Sequence, residues 1–287
     1  MKLFFNLILF IIFFAYEALA DDYKKEVQFT IFSGDKKATF YKVTSGICNV
    51  FNRHYLVEGL RCVAKESAGS ETNLHLLSSS EADLAVVKSP EFNNFFVKNS
   101  QQLQKKINFV ANIHDEYLTV LVQKKLAVKS ISDLSDKIVN IGLTGSTSEL
   151  VIKKYFSDYK IKPKEIVNFG ADISLKMMCD KKIDAWIYFI GHPNSGYEEV
   201  LKKCDVELIA LSENEIANLL KIAAFFQKNT LPKTSYTSLK SDLPTVSSKT
   251  ILASRKNLDS KIVSLVKKVL VDHKEELVKE GEIFRSF

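Results

Sequence analysis

Apolar and polar positions alternate with a period of two along Val27-Gln-Phe-Thr-Ile-Phe-Ser33, which predicts a strand. The period lengthens over Thr39 to Phe51, where Tyr41, Ile47, Val50 and Phe51 mark one face of a helix. Leu60 to Lys65 reads as a second strand, Ser67-Ala-Gly-Ser-Glu-Thr-Asn73 as a polar turn, Asn73 to Ser79 as a helix and Asp83 to Lys88 as a third strand. The same order then returns. Ile138 to Leu143 is a strand, Gly145-Ser-Thr-Ser-Glu149 opens a helix through Tyr155, Ile166 to Phe169 is a strand, Ser174 to Lys181 a helix and Ile183 to Ile190 a strand. Alternating strands and helices with apolar strands predict the α/β class, with parallel sheets covered on both faces.

Two further stretches, Ile107 to Lys124 and Val246 to Ser254, are long, extended and regularly apolar, and a closing helix is expected from Ser260 to Lys279. Both extended stretches can cross between two lobes. The expected division is residues 21–116 plus 246–287 in lobe 1 and the inserted residues 117–245 in lobe 2, with hinge segments near 115–120 and 225–250. Ligands of open α/β sheets bind at the carboxyl ends of strands, so facing lobes would form a cleft lined by strand-to-helix turns. The turn at 67–73 suits that role, since it directs backbone N–H groups, hydroxyls and an amide into one crevice. Ser70 or Thr72 would equally serve as a plain helix cap.

The N-terminus changes the compartment. Met1-Lys2, an apolar run from Leu3 to about Ala15 and Ala18-Leu19-Ala20 before Asp21 have the layout of a secretory signal, with cleavage expected after Ala20 and a periplasmic mature chain. The run is shorter than the roughly 17–25 residues that span a bilayer. The formal charge of +6, from 40 basic and 34 acidic residues, is spread along the chain without an aromatic-interleaved basic stripe, which argues against a nucleic-acid partner. Cys48, Cys62, Cys179 and Cys204 form two sequence-local pairs. In an oxidising compartment the expected bridges, among three connectivities, are Cys48 with Cys62 and Cys179 with Cys204. There is no CxxC, and His54, His75, His114, His192 and His273 stand apart along the chain, so the spacing does not suit zinc and no metal or other cofactor is expected. Catalytic motifs are also lacking: HExxH, GxSxG and the P-loop are absent, and Ser33-Gly-Asp-Lys36 has only the bare Ser-x-x-Lys spacing of penicillin-recognising enzymes.

An ordered set of segments then carries a resemblance. Phe29-Thr-Ile-Phe-Ser-Gly34 with Phe40-Tyr41, Glu66-Ser-Ala-Gly-Ser-Glu-Thr-Asn73, Glu81-Ala-Asp-Leu-Ala-Val-Val-Lys-Ser89, Gly142-Leu-Thr-Gly-Ser-Thr147, Ile183-Asp-Ala-Trp-Ile-Tyr188, Gly191-His-Pro-Asn194 and Leu243-Pro-Thr-Val246 follow one another. In that order the chain resembles the TAXI family, the extracytoplasmic solute-binding proteins of TRAP transporters. The resemblance implies a two-lobed, type II periplasmic-binding fold, expected as a monomer, that captures a small carboxylate such as glutamate, glutamine or a related dicarboxylate. It would deliver this ligand to membrane-embedded TRAP transporter subunits by hinge closure, without catalysis.

The family's pocket turns carry over to Tyr41 against the ligand's carbon chain, to Ser67, Ser70 and Asn73 for polar groups, and to Gly145, Ser146 and Thr147 as donors from the second lobe. Two departures stand out. The loop Ser33-Gly-Asp-Lys-Lys-Ala-Thr39 is charged where relatives are glycine-rich, and Lys88, next to Ser89, stands where relatives commonly carry Gln and could pair with a carboxylate. Tyr188 is a candidate pocket wall, and His192 either lines the cleft or holds its own turn. Drift of the first loop also fits a second reading, a periplasmic ligand sensor or surface interaction protein on the same fold.

Overall fold

The computed structural model describes residues 26–34, 36, 39–98 and 105–286. The apolar N-terminal run and its Ala20 cleavage signal lie outside them, as do Asp35, Lys37 and Ala38 of the first loop. The strands are β1 Val27–Phe32, β2 Leu60–Lys65, β3 Leu84–Lys88, β4 Ile107–Gln123, β5 Ile138–Asn140, β6 Glu165–Val167, β7 Ala185–Gly191, β8 Val206–Ile209, β9 Gln227–Leu231 and β10 Leu243–Arg255. The α-helices are α1 Thr39–Tyr55, α2 Ser70–Ser79, α3 Ser89–Lys98, α4 Thr147–Asp158, α5 Ala171–Cys179, α6 Ser195–Lys203, α7 Glu213–Ile222, α8 Ser260–Asp272 and α9 Lys274–Glu280.

The strands pair in the order β2-β1-β3-β10-β4-β7-β5-β6, with β8 on β4 and β9 on β10. At both ends the sheet is parallel, as the alternating pattern predicts: β1 pairs β2 and β3, and β5 pairs β6 and β7. Through the middle it is antiparallel, because β4 and β10 run against each other and against β3 and β7. These are the two extended stretches of the sequence, now single strands that belong to both halves.

Buried side chains sort accordingly. One pair of apolar clusters covers the two faces of β1, β2, β3 and the adjoining ends of β4 and β10, drawing on Phe29, Phe51, Val266 and Phe284 on one side and Leu74, Leu77 and Phe95 on the other. A second pair covers the other half, through Ile152, Phe156 and Phe189 and through Trp186, Tyr197 and Leu208. Ile113 belongs to the first pair and Tyr117 to the second; on β10, Ile251 belongs to the first and Val246 to the second. The cores therefore change over within a few residues on both strands.

The first part of β4 departs from a period of two. Ile107, Val110 and Ile113 are its buried residues there, three apart, because two register shifts against β10 insert extra residues on β4. A bulged strand bends and twists more strongly at such points. The expected closing helix is also interrupted: it breaks at His273, which adopts φ −113°, ψ 29°, so that α9 turns onto α1. There Arg53 reaches Glu280 at 2.7 Å and Asn49 donates to Glu280 at 2.8 Å. Both disulfides are formed as expected: Cys48 with Cys62 ties α1 to β2, and Cys179 with Cys204 ties the end of α5 to the end of α6.

Candidate functional site

The carboxyl ends of the parallel strands from both halves meet over the β4–β10 ribbon, and the first half contributes three turns. Ser33, fully buried after β1, donates through Oγ to the Lys65 carbonyl at 2.8 Å. Its own carbonyl accepts from Ser67 Oγ at 3.0 Å and from Asn73 Nδ2 at 2.6 Å. Asn73 Nδ2 also donates to Val86 O at 2.8 Å, and Asn73 is fully buried. Both hydrogens of the Asn73 amide bind the chain's own carbonyls and join the ends of β1 and β3, while its Oδ1 is buried without a hydrogen-bond partner. Ser70 opens α2 and its hydroxyl accepts the Lys88 N–H at 3.1 Å, while Tyr41 lies half-buried in the first turn of α1 and Ser89 half-buried at the start of α3.

Lys88 extends from the end of β3 into a cluster that spans the halves. Its ammonium lies 2.8 Å from Glu116 Oε2 on β4 and 5.9 Å from the Phe40 ring centroid. Glu116 is only 4% exposed, whereas the Lys88 side chain keeps 23% of its surface exposed, so the carboxylate side of the pair is the desolvated one. Burial, the largest influence on Lys88, works against its charge, yet Glu116, Tyr188 and Glu91 together raise it above the ordinary lysine value and keep it protonated. Glu116 is raised as well, first by burial and also by Glu91, against the lowering effect of Lys88. Two carboxyl groups and one ammonium thus share the centre, and the expected carboxylate partner of Lys88 is supplied by the chain itself. His114 on β4 is pushed down to about 3, first by burial and then by Lys88, and stays neutral.

The second half meets this cluster through α4. Thr147 Oγ1 donates to Glu91 Oε1 at 2.7 Å, a bond from one half to the other. Both N–H groups expected as donors at Gly145 and Ser146 bond within their own turn, that of Ser146 to the Leu143 carbonyl at 3.0 Å. Gly145 N–H donates to Glu149 Oε2 at 2.6 Å, and Ser146 Oγ caps α4 by accepting the Glu149 N–H at 3.2 Å. The Glu149 carboxyl is held below its usual range, first by Lys153 and then by the Gly145 N–H. A side chain of the protein occupies the place at this helix start where an anion would bind. Gly142, at φ +88°, lets the turn lie on Tyr188: a Cβ there would stand 2.7 Å from Tyr188 Cε2. Tyr188 in turn stacks on the buried Trp186, with ring centroids 5.3 Å apart.

His192 holds its own turn. Asn194 N–H donates to the Tyr236 hydroxyl at 2.9 Å, and that hydroxyl bonds His192 Nδ1. Nε2 faces Thr119 Oγ1 at 2.8 Å, which donates onward to the Tyr117 carbonyl at 3.1 Å. With Tyr236 donating to Nδ1, the ring carries its hydrogen on Nε2, and both nitrogens are engaged. The ring is 2% exposed and burial pushes it down to about 3. His192 therefore holds its own turn, one of the two roles open to it from sequence, and it also lines a cavity between the halves.

Two cavities flank the cluster between the halves. One of about 550 Å³ lies among α2, α3, α4 and α7, lined by Glu91, Phe95, Gly145, Thr147 and Phe225 among others. The other, of about 840 Å³, is lined by Thr39, Lys42, Tyr117 and His192 together with residues 231–235 and 280–285. Glu91 and Glu116 escaped the sequence reading. Ser89-Pro90-Glu91 carried a signal, since Pro at the start of a helix with an acidic first turn marks a helix opening directly after β3. Glu116 carried none, because only the placing of β4 one strand beyond β3, across β10, brings it to Lys88.

A bent mixed sheet with two pairs of cores, two connecting strands and a cleft over the strand ends is the fold of the two-lobed periplasmic substrate-binding proteins. The chain belongs to the NMT1-like family, whose model matches residues 31–286. Among solved structures it is similar to a probable amino-acid ABC transporter extracellular-binding protein of Bacillus subtilis, at 16% identity and TM-score 0.54, covering 91% of this chain and 96% of that one. It is similar to a putative L-cystine ABC transporter protein of Listeria monocytogenes, at 13% identity and TM-score 0.51, covering 91% and 96%. The effector-binding domain of a BenM variant matches at 12% identity and TM-score 0.52, covering 89% and 94%. No curated protein sequence matches the chain. Among the described residues no helix is long and apolar enough to cross a membrane.

Proposed function

We propose that this chain is the exported solute-binding subunit of a membrane transporter, of the TRAP type that its ordered motifs resemble, and that it captures a small carboxylate-bearing solute of the amino-acid kind between its lobes. The observation that carries this reading is the cluster of Lys88, Glu116, Glu91 and Thr147, contributed by both halves and built around the buried Glu116 carboxyl where the strand ends face each other. Lobe 1 would comprise residues 21–116 and 246–287 and lobe 2 residues 117–245. The hinge lies where the cores change over, between Ile113 and Tyr117 and between Val246 and Ile251. Closure would exchange the Thr147 to Glu91 bond, and with it the Lys88 to Glu116 pair, for bonds to the solute. The periplasm is the proposed compartment, in keeping with the two disulfides.

The test is thermal unfolding of the oxidised, signal-free protein against amino acids, dicarboxylates, 2-oxo acids and sugars. A specific solute at 100 times its Kd stabilises by about 2.7 kcal/mol. A shift with one class of solute is expected; no shift with any of them refutes the reading. In that case the second reading, a ligand sensor or interaction protein, gains, and the observation favouring it is that Glu149 already fills the α4 helix start.

A further inference from the structure

The five histidines stand apart in sequence, but the fold brings two of them together outside the lining of the cleft cavities. His54 near the end of α1 and His273 at the break between α8 and α9 lie with ring centroids 3.8 Å apart. Between them is Glu276, whose Oε1 is 2.8 Å from His54 Nε2 and 3.0 Å from His273 Nδ1. We infer that His54, His273 and Glu276 form a binding site for a divalent transition-metal ion, zinc being the ion that their two imidazole nitrogens and one carboxylate oxygen suit.

The argument is geometric. The three donor atoms all lie within 4.8 Å of one another. Bonds of about 2.0–2.1 Å in a tetrahedral zinc site put neighbouring donors roughly 3.3 Å apart. The two distances to Glu276 Oε1 need to open by only a few tenths of an ångström, a side-chain adjustment that leaves the helices in place. His273 is the residue from which α9 starts and Glu276 lies in the first turn of that helix, which sets them 3.0 Å apart. His54 comes from a helix anchored by the Cys48–Cys62 bridge. The second carboxylate oxygen is held by Arg53, whose Nε lies 3.3 Å from Oε2, so Oε1 is the oxygen turned to both rings. Such an outer contact orients a metal-binding carboxylate. The side chains are between a fifth and a third exposed, which leaves an open side for a water as fourth ligand.

In the metal-free protein each facing ring nitrogen carries a hydrogen toward Oε1; on metal binding those hydrogens move to the opposite ring nitrogens, and no redox step is involved. Imidazole with carboxylate favours zinc or copper over magnesium or calcium. Bridging α1 to α9, the ion would clamp the C-terminal turn that lines the larger cavity, at Glu280 to Arg285.

The experiment is calorimetric titration of the oxidised full chain, without a histidine tag, with zinc chloride, and cobalt absorption as a second readout. One zinc per chain is expected, with at least tenfold weaker binding in His54→Gln and in His273→Gln and no change in His75→Gln. Cobalt should show the visible bands of a four-coordinate site in the parent and lose them in both variants. Glutamine at either position can still donate a hydrogen bond to Glu276, so the variants are expected to fold, and far-ultraviolet circular dichroism checks this. Absence of stoichiometric zinc binding, or zinc binding equally tight in His54→Gln and His273→Gln, overturns the inference. None of these outcomes depends on the solute bound in the cleft.

Discussion

Acid should weaken this protein through His192, and the geometry sets how much. Its ring lies in a relay from Asn194 through Tyr236 to Nδ1 and from Nε2 to Thr119, so a second ring hydrogen would face the hydroxyl hydrogen of Tyr236. Burial pushes the ring down to about 3, against about 6.5 for an unfolded histidine. The unfolded chain therefore binds more protons below pH 6.5. Stability from the neutral ring is complete above that pH and is lost progressively as pH falls toward about 3, at up to about 1.4 kcal/mol per pH unit. Between pH 7.5 and 5.0 the loss from this residue amounts to about 2 kcal/mol. His114, also pushed down to about 3, adds loss in the same direction, and Glu116, raised by burial, opposes it. The comparison that isolates His192 is urea unfolding of the parent and of His192→Gln at both pH values. The variant should be the less stable at pH 7.5 by about 1–3 kcal/mol, because Gln fits the relay imperfectly. The gap should narrow by about 2 kcal/mol at pH 5.0. Parallel losses in the two proteins would refute the assignment of a neutral, buried ring.

Lys88→Met leaves Glu116 buried without its ammonium and should cost about 3–5 kcal/mol in chemical unfolding, most of it regained in Lys88→Met with Glu116→Leu. Gly142→Ala puts a methyl 2.7 Å from the Tyr188 ring at φ +88° and should cost about 1–3 kcal/mol; adding Tyr188→Ala relieves the contact but not the backbone strain, so only partial recovery is expected. Replacing Cys179 and Cys204 by Ser opens a loop of separation 25 and should lower stability by about 3 kcal/mol in the chain-entropy account, read as a drop in unfolding midpoint.

Local sequence carried the elements whose pattern is local. The alternation in β1, the β2–α2–β3 unit and its return in β5–α4 are legible because a strand or helix buries one face and shows it in the period. Several elements were missed although their signals are plain: Ser212 and Glu215 form a reciprocal capping box at α7, and Asn194 caps α6 by accepting the N–H groups of Gly196 and Tyr197. Those helices are short and follow polar turns, so their apolar period is brief. The extended stretch Ile107 to Lys124 was legible, but the bulges in β4 and the His273 break at the end of α8 were not, because each depends on a partner that lies far along the chain.

The sequence by itself determined the α/β class, the two extended segments able to join two halves, the grouping of the cysteines into two local pairs and the turns at the strand ends, since each follows from residue period, spacing or turn chemistry. Tertiary structure alone decided what those turns hold. Whether Asn73, Gly145 and Ser146 face a solute or the chain's own carbonyls and carboxylates depends on which strands lie side by side. The same holds for Lys88 with Glu116, which β3 and β4 bring together only through β10, and for His54 with His273, which meet because α9 folds back on α1. Charge and hydrogen bonding act over a few ångströms, a distance that separation along the chain does not encode.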